Sequence, residues 1–219
     1  MKCWKMVSYV SFRVVKFLRP PSKPGVPLIE NDVLWKWLLP STISRYSLDP
    51  ENECISTGVT PKLLTKRPAE FPSVPKELSS RRHKYVYASG SHNEIPGSTS
   101  ETRGSGPQTG SIMKVDTEDP TQNEVYSFEP YEFNGESVFV QKVGKDVTKP
   151  EEEDAGYLVT YVANGRDKST DLVIFDVEGK GALGKGPVAR IALPAFIPQG
   201  LHGSFAKDVT YDFSQFDGK

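Results

Sequence analysis

Short apolar runs separated by turn residues form the main pattern along this chain. Five of them lie in its second half, at residues 111–116, 138–142, 157–162, 171–176 and 188–194. Two earlier runs, at 43–48 and 85–88, have the same character. These runs predict strands, because they alternate in side-chain character or are rich in branched and aromatic residues that pack well on a sheet. No convincing amphipathic helix lies between them, which predicts antiparallel sheets.

The order of these strands fits several all-β architectures. A β-propeller gives four-stranded units in series, and a sandwich or a barrel gives much the same pattern. The sequence carries no exact internal repeat that would choose among them. Periodicity therefore predicts an all-β fold without selecting its architecture.

Two segments differ in composition from the predicted strands. Residues 1–30 are basic and contain no acidic residue before Glu30. Such a start fits an organelle targeting segment, an amphipathic segment on a membrane surface, or an incorrectly assigned chain start. Residues 31–219 form the predicted folded domain, in which residues 89–111, rich in Ser, Gly, Thr and Pro, are predicted to be a mobile loop.

Charge and composition argue against several classes of function. The 219 residues include 27 Lys and Arg against 28 Asp and Glu, and a nucleic-acid binder would need a more basic surface. No stretch reaches the roughly 18 to 20 apolar residues of a membrane-spanning helix. Cys3 and Cys54 are the only cysteines, too few for a disulfide framework or a cysteine–zinc cluster. His83, His92 and His202 are the only histidines available as metal ligands.

The most distinctive motif is a strand followed by a histidine-containing turn at residues 187–203. The strand reads Pro-Val-Ala-Arg-Ile-Ala-Leu-Pro, and the turn Ile-Pro-Gln-Gly-Leu-His-Gly contains His202. This segment resembles the end of the carotenoid cleavage oxygenase family, which includes the lignostilbene dioxygenases and the retinal-pigment-epithelium isomerohydrolase. The family pattern there is Pro-Val-Ala-Arg-Val-x-Leu-Pro followed by Val-Pro-x-Gly-Phe-His-Gly.

Three further motifs resemble the same family in the same order. Residues 69–72 resemble its Glu-Phe-Pro element, residues 135–140 its Gly-Glu-Pro-x-Phe-Val-Pro element, and residues 153–158 its Glu-Asp-Asp-Gly-Tyr-Leu element. Together the motifs cover about residues 34–213. Departures from the family pattern include Ser137, Gln141, Ala155 and Leu201.

The resemblance implies that the all-β fold is the C-terminal part of a seven-bladed β-propeller. In this family four histidines hold Fe²⁺ on the propeller axis, and His202 would be the last of them. Glu70 and Glu136 would accept hydrogen bonds from the non-ligating ring nitrogens, which fixes the tautomer of the ligand histidines. Gly200 and Gly203 would let the backbone approach the crowded axis. The other three histidines would precede residue 34, so the propeller in this chain would be incomplete.

The remaining histidines and the acidic run have simpler interpretations. His83 lies among Arg and Lys residues and His92 lies in the predicted loop, so both are predicted to be solvated. Residues 151–154 are four consecutive carboxylates without a histidine nearby. This run predicts an exposed loop and not a catalytic pair.

The resemblance implies an iron(II) dioxygenase that uses O₂ to cleave a conjugated double bond of a carotenoid or apocarotenoid substrate. Enzyme activity of this chain stays open, because three of the four iron ligands are absent from it. The alternative is a non-catalytic, iron-free module that binds carotenoid, lipid or another protein. The basic start allows peripheral membrane contact. Whether the location is cytoplasmic or plastid is not determined by the sequence.

Overall fold

The computed structural model describes residues 7–8, 43–47, 62–65, 67–91, 109–198, 200 and 202–206. Within these ranges the chain forms antiparallel strands and three single-turn 3-10 helices, at Lys76–Leu78, Pro120–Gln122 and Leu183–Lys185, and no α-helix. The strands are β1 Val7–Ser8, β2 Ser44–Ser47, β3 Lys62–Leu63, β4 Ala69–Ser73, β5 Tyr85–Ser91, β6 Thr109–Asp116, β7 Glu124–Ser127, β8 Glu132–Asn134, β9 Val138–Gln141, β10 Gly156–Asn164, β11 Ser169–Asp176 and β12 Ala189–Ala192. They form a first sheet (β1–β3), a middle sheet (β4–β7) and a last sheet (β8–β12).

The middle sheet is a four-stranded meander in the order β4-β5-β6-β7. The turn from β6 to β7 contains the helix at Pro120–Gln122, and its sequence explains why it forms. The Asp119 carboxylate accepts a hydrogen bond from the Thr121 amide at 3.0 Å, and Pro120 supplies a backbone angle suited to the first helical position. The chain therefore reverses within a few residues and places β7 beside β6.

The last sheet is also a meander. The edge opposite β12, called the inner edge below, is divided between two short strands. β12 pairs with β11, β11 pairs with β10, and both β8 and β9 pair with β10. β8 lies against residues 162–164 and β9 against residues 156–159, so β8 and β9 together form one edge. Residues 135–137 separate these two strands and lie opposite residues 160–161 of β10, which makes a β-bulge.

Both faces of the middle sheet are covered. One face packs against the last sheet in a core that contains Tyr87, Ile112, Phe128, Leu158, Val162, Val173, Phe175, Val177 and Leu183. The other face packs against residues adjoining the first sheet, in a second cluster made of Ile43, Leu64, Ala69, Val86, Ala88, Met113 and Val115. Neighbouring residues of β5 and β6 belong to different clusters because strand side chains alternate between faces.

The structure confirms the all-β prediction and contains the predicted strands at 43–48, 85–88, 111–116, 138–142, 157–162, 171–176 and 188–194, with shifted ends. The predicted loop 89–111 was too long, since β5 continues to Ser91 and β6 begins at Thr109. Hydroxyl hydrogen bonds explain this burial of polar residues: Ser89 Oγ donates to the Gly135 carbonyl at 2.8 Å and Ser111 Oγ to the Ser91 carbonyl at 3.1 Å.

Other sequence predictions fall on parts of the chain without a description. Residues 92–108 of the predicted loop lie outside the described residues, as does the basic segment 1–30 except for Val7 and Ser8. Among the described residues, no helix is long and apolar enough to span a membrane.

Candidate metal centre

Two sheet edges have similar irregularities: β4, which is the inner strand of the middle sheet, and the inner edge of the last sheet formed by β8 and β9. In β4 the register with β5 shifts between Glu70 and Ser73, where Phe71 has a positive φ of 52°. In the last sheet the bulge at 135–137 includes Glu136. The two irregular segments also touch, because Ser73 Oγ donates to the Ser137 carbonyl at 3.2 Å. Bulges redirect side chains out of the regular alternation, and here they lie beside both predicted glutamates.

A hydrogen-bond network holds the bulge that carries Glu136. The Gly135 amide donates to the Tyr161 carbonyl at 3.0 Å, and the Gly135 carbonyl accepts from Ser89 Oγ at 2.8 Å. Thr160 Oγ1 donates to the Glu136 carbonyl at 3.1 Å. These contacts come from both sheets, so the position of Glu136 depends on how the sheets pack.

The structure brings Glu136 and His202 together, although the sequence analysis did not say which histidine either glutamate would contact. Glu136 Oε2 lies 3.2 Å from His202 Nδ1 and accepts a hydrogen bond from the Gly203 amide at 3.0 Å. An ionised carboxylate only accepts, so Nδ1 carries the proton in this arrangement. Nε2 of a neutral His202 then carries the lone pair that a metal ligand requires.

Phe71 forms a second contact with the histidine. Its ring meets the His202 ring edge to face, with the centroids 5.8 Å apart. Glu70 precedes Phe71 on β4 and is exposed. The structure therefore places Glu70 on β4, directly before Phe71. Phe71 contacts His202. The sequence analysis quoted Phe71 within the Glu-Phe-Pro motif and assigned it no role.

In the described part of the chain, His202 is the candidate metal ligand. Among residues 43–206 that the structure describes, no group of three or more His, Cys, Asp or Glu side chains is arranged to hold a metal ion. A neutral imidazole oriented by a carboxylate is the ligand type that Fe²⁺ and similar metals accept. The His202 side chain is 77% exposed and that of Glu136 20%, so the pair lies at an accessible edge.

Within the described residues, Cβ atoms at the glycines beside His202 would meet few neighbours, and the predicted role of these glycines at the propeller axis stays a prediction. A Cβ atom at Gly203 would meet only Val138 Cγ2 at 3.9 Å, which is an ordinary contact, and a Cβ atom at Gly200 would meet nothing within 4 Å. Other glycines are packed more tightly, and one of them is Gly156 in the motif at residues 153–158. A Cβ atom at Gly156 would come within 2.1 Å of the Phe139 ring.

Two predictions of solvent exposure were wrong. His83 is buried, with Nδ1 2.9 Å from the Arg81 carbonyl oxygen, because a hydrogen-bonded neutral imidazole packs well in an interior. In the acidic run, Glu153 and Asp154 are buried. Glu153 Oε1 accepts from the Lys84 and Tyr85 amides, and Asp154 pairs with the buried Lys114. Partners from the middle sheet make this burial possible. His92 lies outside the described residues.

A cleft of about 580 Å³ opens beside the Glu136–His202 pair. Apolar side chains form much of its wall, including Val74, Val138, Val140 and Phe205. Glu136 and Gly203 also line it, so the cleft adjoins the residues that contact and follow the candidate ligand. An elongated apolar molecule in this cleft would lie next to the carboxylate–histidine pair.

Comparison with known proteins shows the family of this chain. The family model described as "Retinal pigment epithelial membrane protein" matches residues 5–207. Apocarotenoid-15,15'-oxygenase of Synechocystis is 30% identical over 168 residues, which cover 77% of this chain and 30% of that protein. The chloroplastic carotenoid cleavage dioxygenase 7 of Arabidopsis thaliana is 29% identical over 177 residues, which cover 78% of this chain and 26% of the relative.

Solved structures give the same result. The cobalt-substituted Synechocystis apocarotenoid oxygenase matches with a TM-score of 0.59 at 28% identity, over 76% of this chain and 30% of that chain. A chimera of this oxygenase with the retinal pigment epithelial protein matches with a TM-score of 0.60 at 28% identity and the same coverage. This chain thus spans less than a third of the length of these relatives. It belongs to the retinal pigment epithelial membrane protein family of carotenoid oxygenases, and its middle and last sheets are blades of that family's seven-bladed β-propeller.

Proposed function

We propose that this chain is the C-terminal part of a non-haem iron(II) dioxygenase that cleaves a conjugated double bond of a carotenoid or apocarotenoid. The names of the Synechocystis and Arabidopsis relatives support this class of reaction, since both describe oxygenation or cleavage of such compounds. Dioxygen is the co-substrate, and each of its atoms ends in one of the two carbonyl products. The substrate and the position of the cleaved bond follow from parts of the protein beyond these blades.

The contact between Glu136 and His202 is the observation that carries the proposal. Glu136 and His202 are 66 residues apart in sequence, and the bulge of the last sheet and the turn after β12 bring Glu136 Oε2 within 3.2 Å of His202 Nδ1. A carboxylate that fixes the proton on Nδ1 directs Nε2 toward a metal and raises the basicity of the ligand. His202 is therefore the proposed ligand, and Glu136 is its proposed orienting group. Glu70 is proposed to orient another ligand histidine, supplied by a part of the complete protein outside this chain.

Fe²⁺ held by His202 together with ligand histidines outside this chain would supply the binding and activation of dioxygen. The residues of this chain contribute by holding the imidazole and by shaping the space next to it. Glu136 keeps the His202 proton on Nδ1 through the contact at 3.2 Å. The apolar wall of the neighbouring cleft excludes water from one side of the site and suits a polyene chain. The cobalt-substituted relative supports metal use in this family.

A chimera tests the proposal with this chain's own residues. Residues 62–219 replace the aligned segment of the Synechocystis apocarotenoid oxygenase, which supplies the rest of the propeller. Purified chimera is expected to retain iron and to cleave an apocarotenoid. His202→Ala should abolish both properties, and Glu136→Gln should weaken iron binding by about 10- to 100-fold. Metal content by mass spectrometry and product analysis by chromatography provide the readouts.

Glu151→Gln is the matched control, because Glu151 is an exposed carboxylate of the acidic run. It should leave iron content and turnover unchanged. A folded chimera with His202→Ala that keeps its iron would contradict the ligand assignment. A folded chimera that binds no iron with His202 intact would contradict the proposal and favour the non-catalytic carotenoid- or lipid-binding module instead.

A plastid location is proposed on the chloroplastic relative alone. Peripheral membrane contact is proposed from the basic residues 1–30, since basic apolar segments bind anionic lipid surfaces. Binding of the full chain to anionic vesicles, compared with a chain whose basic residues before Glu30 are replaced by Gln, tests this contact. Equal binding by the two chains would contradict it.

A further inference from the structure

The turn that carries His202 starts at one side of the last sheet and ends at the other. It follows β12, the outer strand, and reaches the bulge next to β8 and β9, the inner edge. On the way it passes the start of β11, where the Leu193 amide donates to the Thr170 carbonyl at 2.9 Å. A segment of this kind needs fixed points, since it is not itself part of a strand.

The Thr170 side chain provides one of these fixed points. Its hydroxyl donates to the Ile197 carbonyl at 2.8 Å and accepts from the Ile197 amide at 2.8 Å. One side chain thus satisfies both backbone groups of a residue in the turn, as a neighbouring strand would. Thr170 is 1% exposed and Ile197 is 43% exposed, so both bonds are shielded from water on the side of Thr170.

Glu136 provides the second fixed point, five and six residues further along the turn. It contacts His202 Nδ1 at 3.2 Å and the Gly203 amide at 3.0 Å. Ile197 and His202 are five residues apart in sequence, so holding Ile197 against β11 limits how far His202 can lie from the sheet. The position of Ile197 therefore affects how closely His202 approaches Glu136.

We propose that Thr170 is a positioning residue for the candidate metal centre: its hydroxyl fixes the turn at Ile197 so that His202 meets Glu136. Thr170 acts through the turn and contacts neither the metal nor a substrate. This inference deepens the proposed function and rests on it for its consequence. Its direct evidence is the paired hydrogen bonds, which can be tested without metal.

The test compares Thr170→Val with Thr117→Val in the full chain without metal. Thr117 is the matched control, because it is also fully buried and its hydroxyl donates to the His83 carbonyl at 3.1 Å, in the middle sheet. Amide hydrogen exchange of Gly203 and the ¹⁵N shifts of the His202 ring are the readouts, and urea unfolding measures overall stability. These local readouts separate positioning from a general loss of stability.

Thr170→Val is expected to speed the exchange of the Gly203 amide by about tenfold, because two hydrogen bonds to the turn are lost. The His202 shifts should move toward a mixture of tautomers. Thr117→Val should leave both readouts unchanged, and Thr170→Ser, which keeps the hydroxyl, should restore them. If Thr170→Val and Thr117→Val give the same Gly203 exchange and the same His202 shifts, the proposal is wrong.

Ile197→Pro offers a second test if Thr170→Val fails to fold. It removes the amide that donates to the Thr170 hydroxyl and leaves β11 unaltered. A smaller acceleration at Gly203 than that of Thr170→Val is expected, because one of the two hydrogen bonds is removed, and unchanged exchange would overturn the proposal. Failure of the proposed function looks different, since a chimera without iron but with wild-type Gly203 exchange would contradict the metal centre and leave the role of Thr170 intact.

Discussion

The middle and last sheets differ in how many of their faces are covered. All residues of β6 in the middle sheet are buried, whereas buried and partly exposed residues alternate along much of β10 in the last sheet. On the open face, Tyr161 is 51% exposed and Ile191 is 49% exposed, and both lie beside Leu172 in register. β6 contains Lys114 and Asp116 and is the more polar of the two strands, so the neighbouring sheets and not the composition produce the difference.

The contacts that stabilise these blades and the candidate metal centre lie in different places. The interface between the middle and last sheets contains the large core and a buried ion pair. The candidate centre lies at the inner edge, where strand pairing is interrupted by bulges at 70–73 and 135–137. Contacts across the interface support that edge, since Ser89 of the middle sheet binds the Gly135 carbonyl. The variants below test this division, from the largest expected effect to the smallest.

Lys114→Ala should destabilise the chain by about 3–5 kcal/mol, because it leaves a buried carboxylate without its partner. Lys114 Nζ lies 2.7 Å from Asp154 Oδ2 and donates to the Val177 carbonyl at 2.7 Å, so it joins the middle sheet to the last. Urea unfolding measures the loss. Lys149→Ala, at an exposed position, is the control and should cause no measurable change. Equal stability of the two variants would contradict the importance of this interface.

Alanine substitutions at two isoleucines compare the covered face of the middle sheet with the open face of the last sheet. Ile112→Ala, at a position that is 0% exposed, should cost about 2–5 kcal/mol because it opens a cavity in the core. Ile191→Ala on the open face should cost less than about 1 kcal/mol. The difference in the free energy of unfolding, measured with urea, checks the contrast. Similar losses would mean that another surface covers the open face in solution.

Gly156→Ala should destabilise the chain by about 1–3 kcal/mol, because the new methyl group would overlap the Phe139 ring. That ring stacks on Tyr87 with the centroids 5.3 Å apart, so its displacement would disturb the interface between the two sheets. Gly184→Ala is the control, because a Cβ atom there would have no neighbour within 4 Å. Thermal unfolding of both variants measures the effect, and equal melting temperatures would argue against the overlap.

The smallest effect expected concerns pH. Burial raises the pKa of the Glu153 carboxyl above its ordinary value of 4.5, although the amides of Tyr85 and Lys84 partly oppose the shift. The folded chain then binds the proton more tightly than the unfolded chain. The stabilisation that Glu153 contributes to the folded chain is fully present below pH 4.5. It is lost as the pH rises through the pKa of Glu153 in the folded chain. Glu153→Gln should remove this dependence.

Urea unfolding of wild type and Glu153→Gln at several pH values from acidic to neutral checks the sign. The stability of wild type relative to the variant should fall as the pH rises. Glu151→Gln, which alters an exposed carboxylate, serves as the control and should follow wild type. Parallel curves for wild type and Glu153→Gln would show that Glu153 titrates alike in the folded and unfolded chains.

Local patterns were sufficient to predict much of the fold. The runs at 157–162 and 171–176 lie within β10 and β11, because two-residue periodicity and branched side chains are properties of the strand itself. Polar residues were harder to place. Ser89–Ser91 were predicted to be in a loop, and their burial depends on hydrogen-bond partners from other segments, such as the Gly135 carbonyl. His83 and Glu153 were misplaced for the same reason.

The candidate site divides in the same way. The motif resemblance indicated His202, Glu136 and Glu70 as candidates, because each stands in a recognisable short pattern. It did not indicate that Phe71 contacts His202 or that Thr170 holds Ile197. These contacts join residues of β4 and β11 to the turn that follows β12, and no spacing along the chain encodes them.

The sequence by itself determined the strands, the family and the candidate ligand, because these depend on local side-chain properties and on motifs of a few residues. Only the tertiary structure decided which charges are buried and which strand edge is interrupted. It also decided that one glutamate meets His202 while the other lies on the neighbouring strand. Burial and long-range hydrogen bonding depend on the segments that pack together, and in this chain those segments lie tens of residues apart.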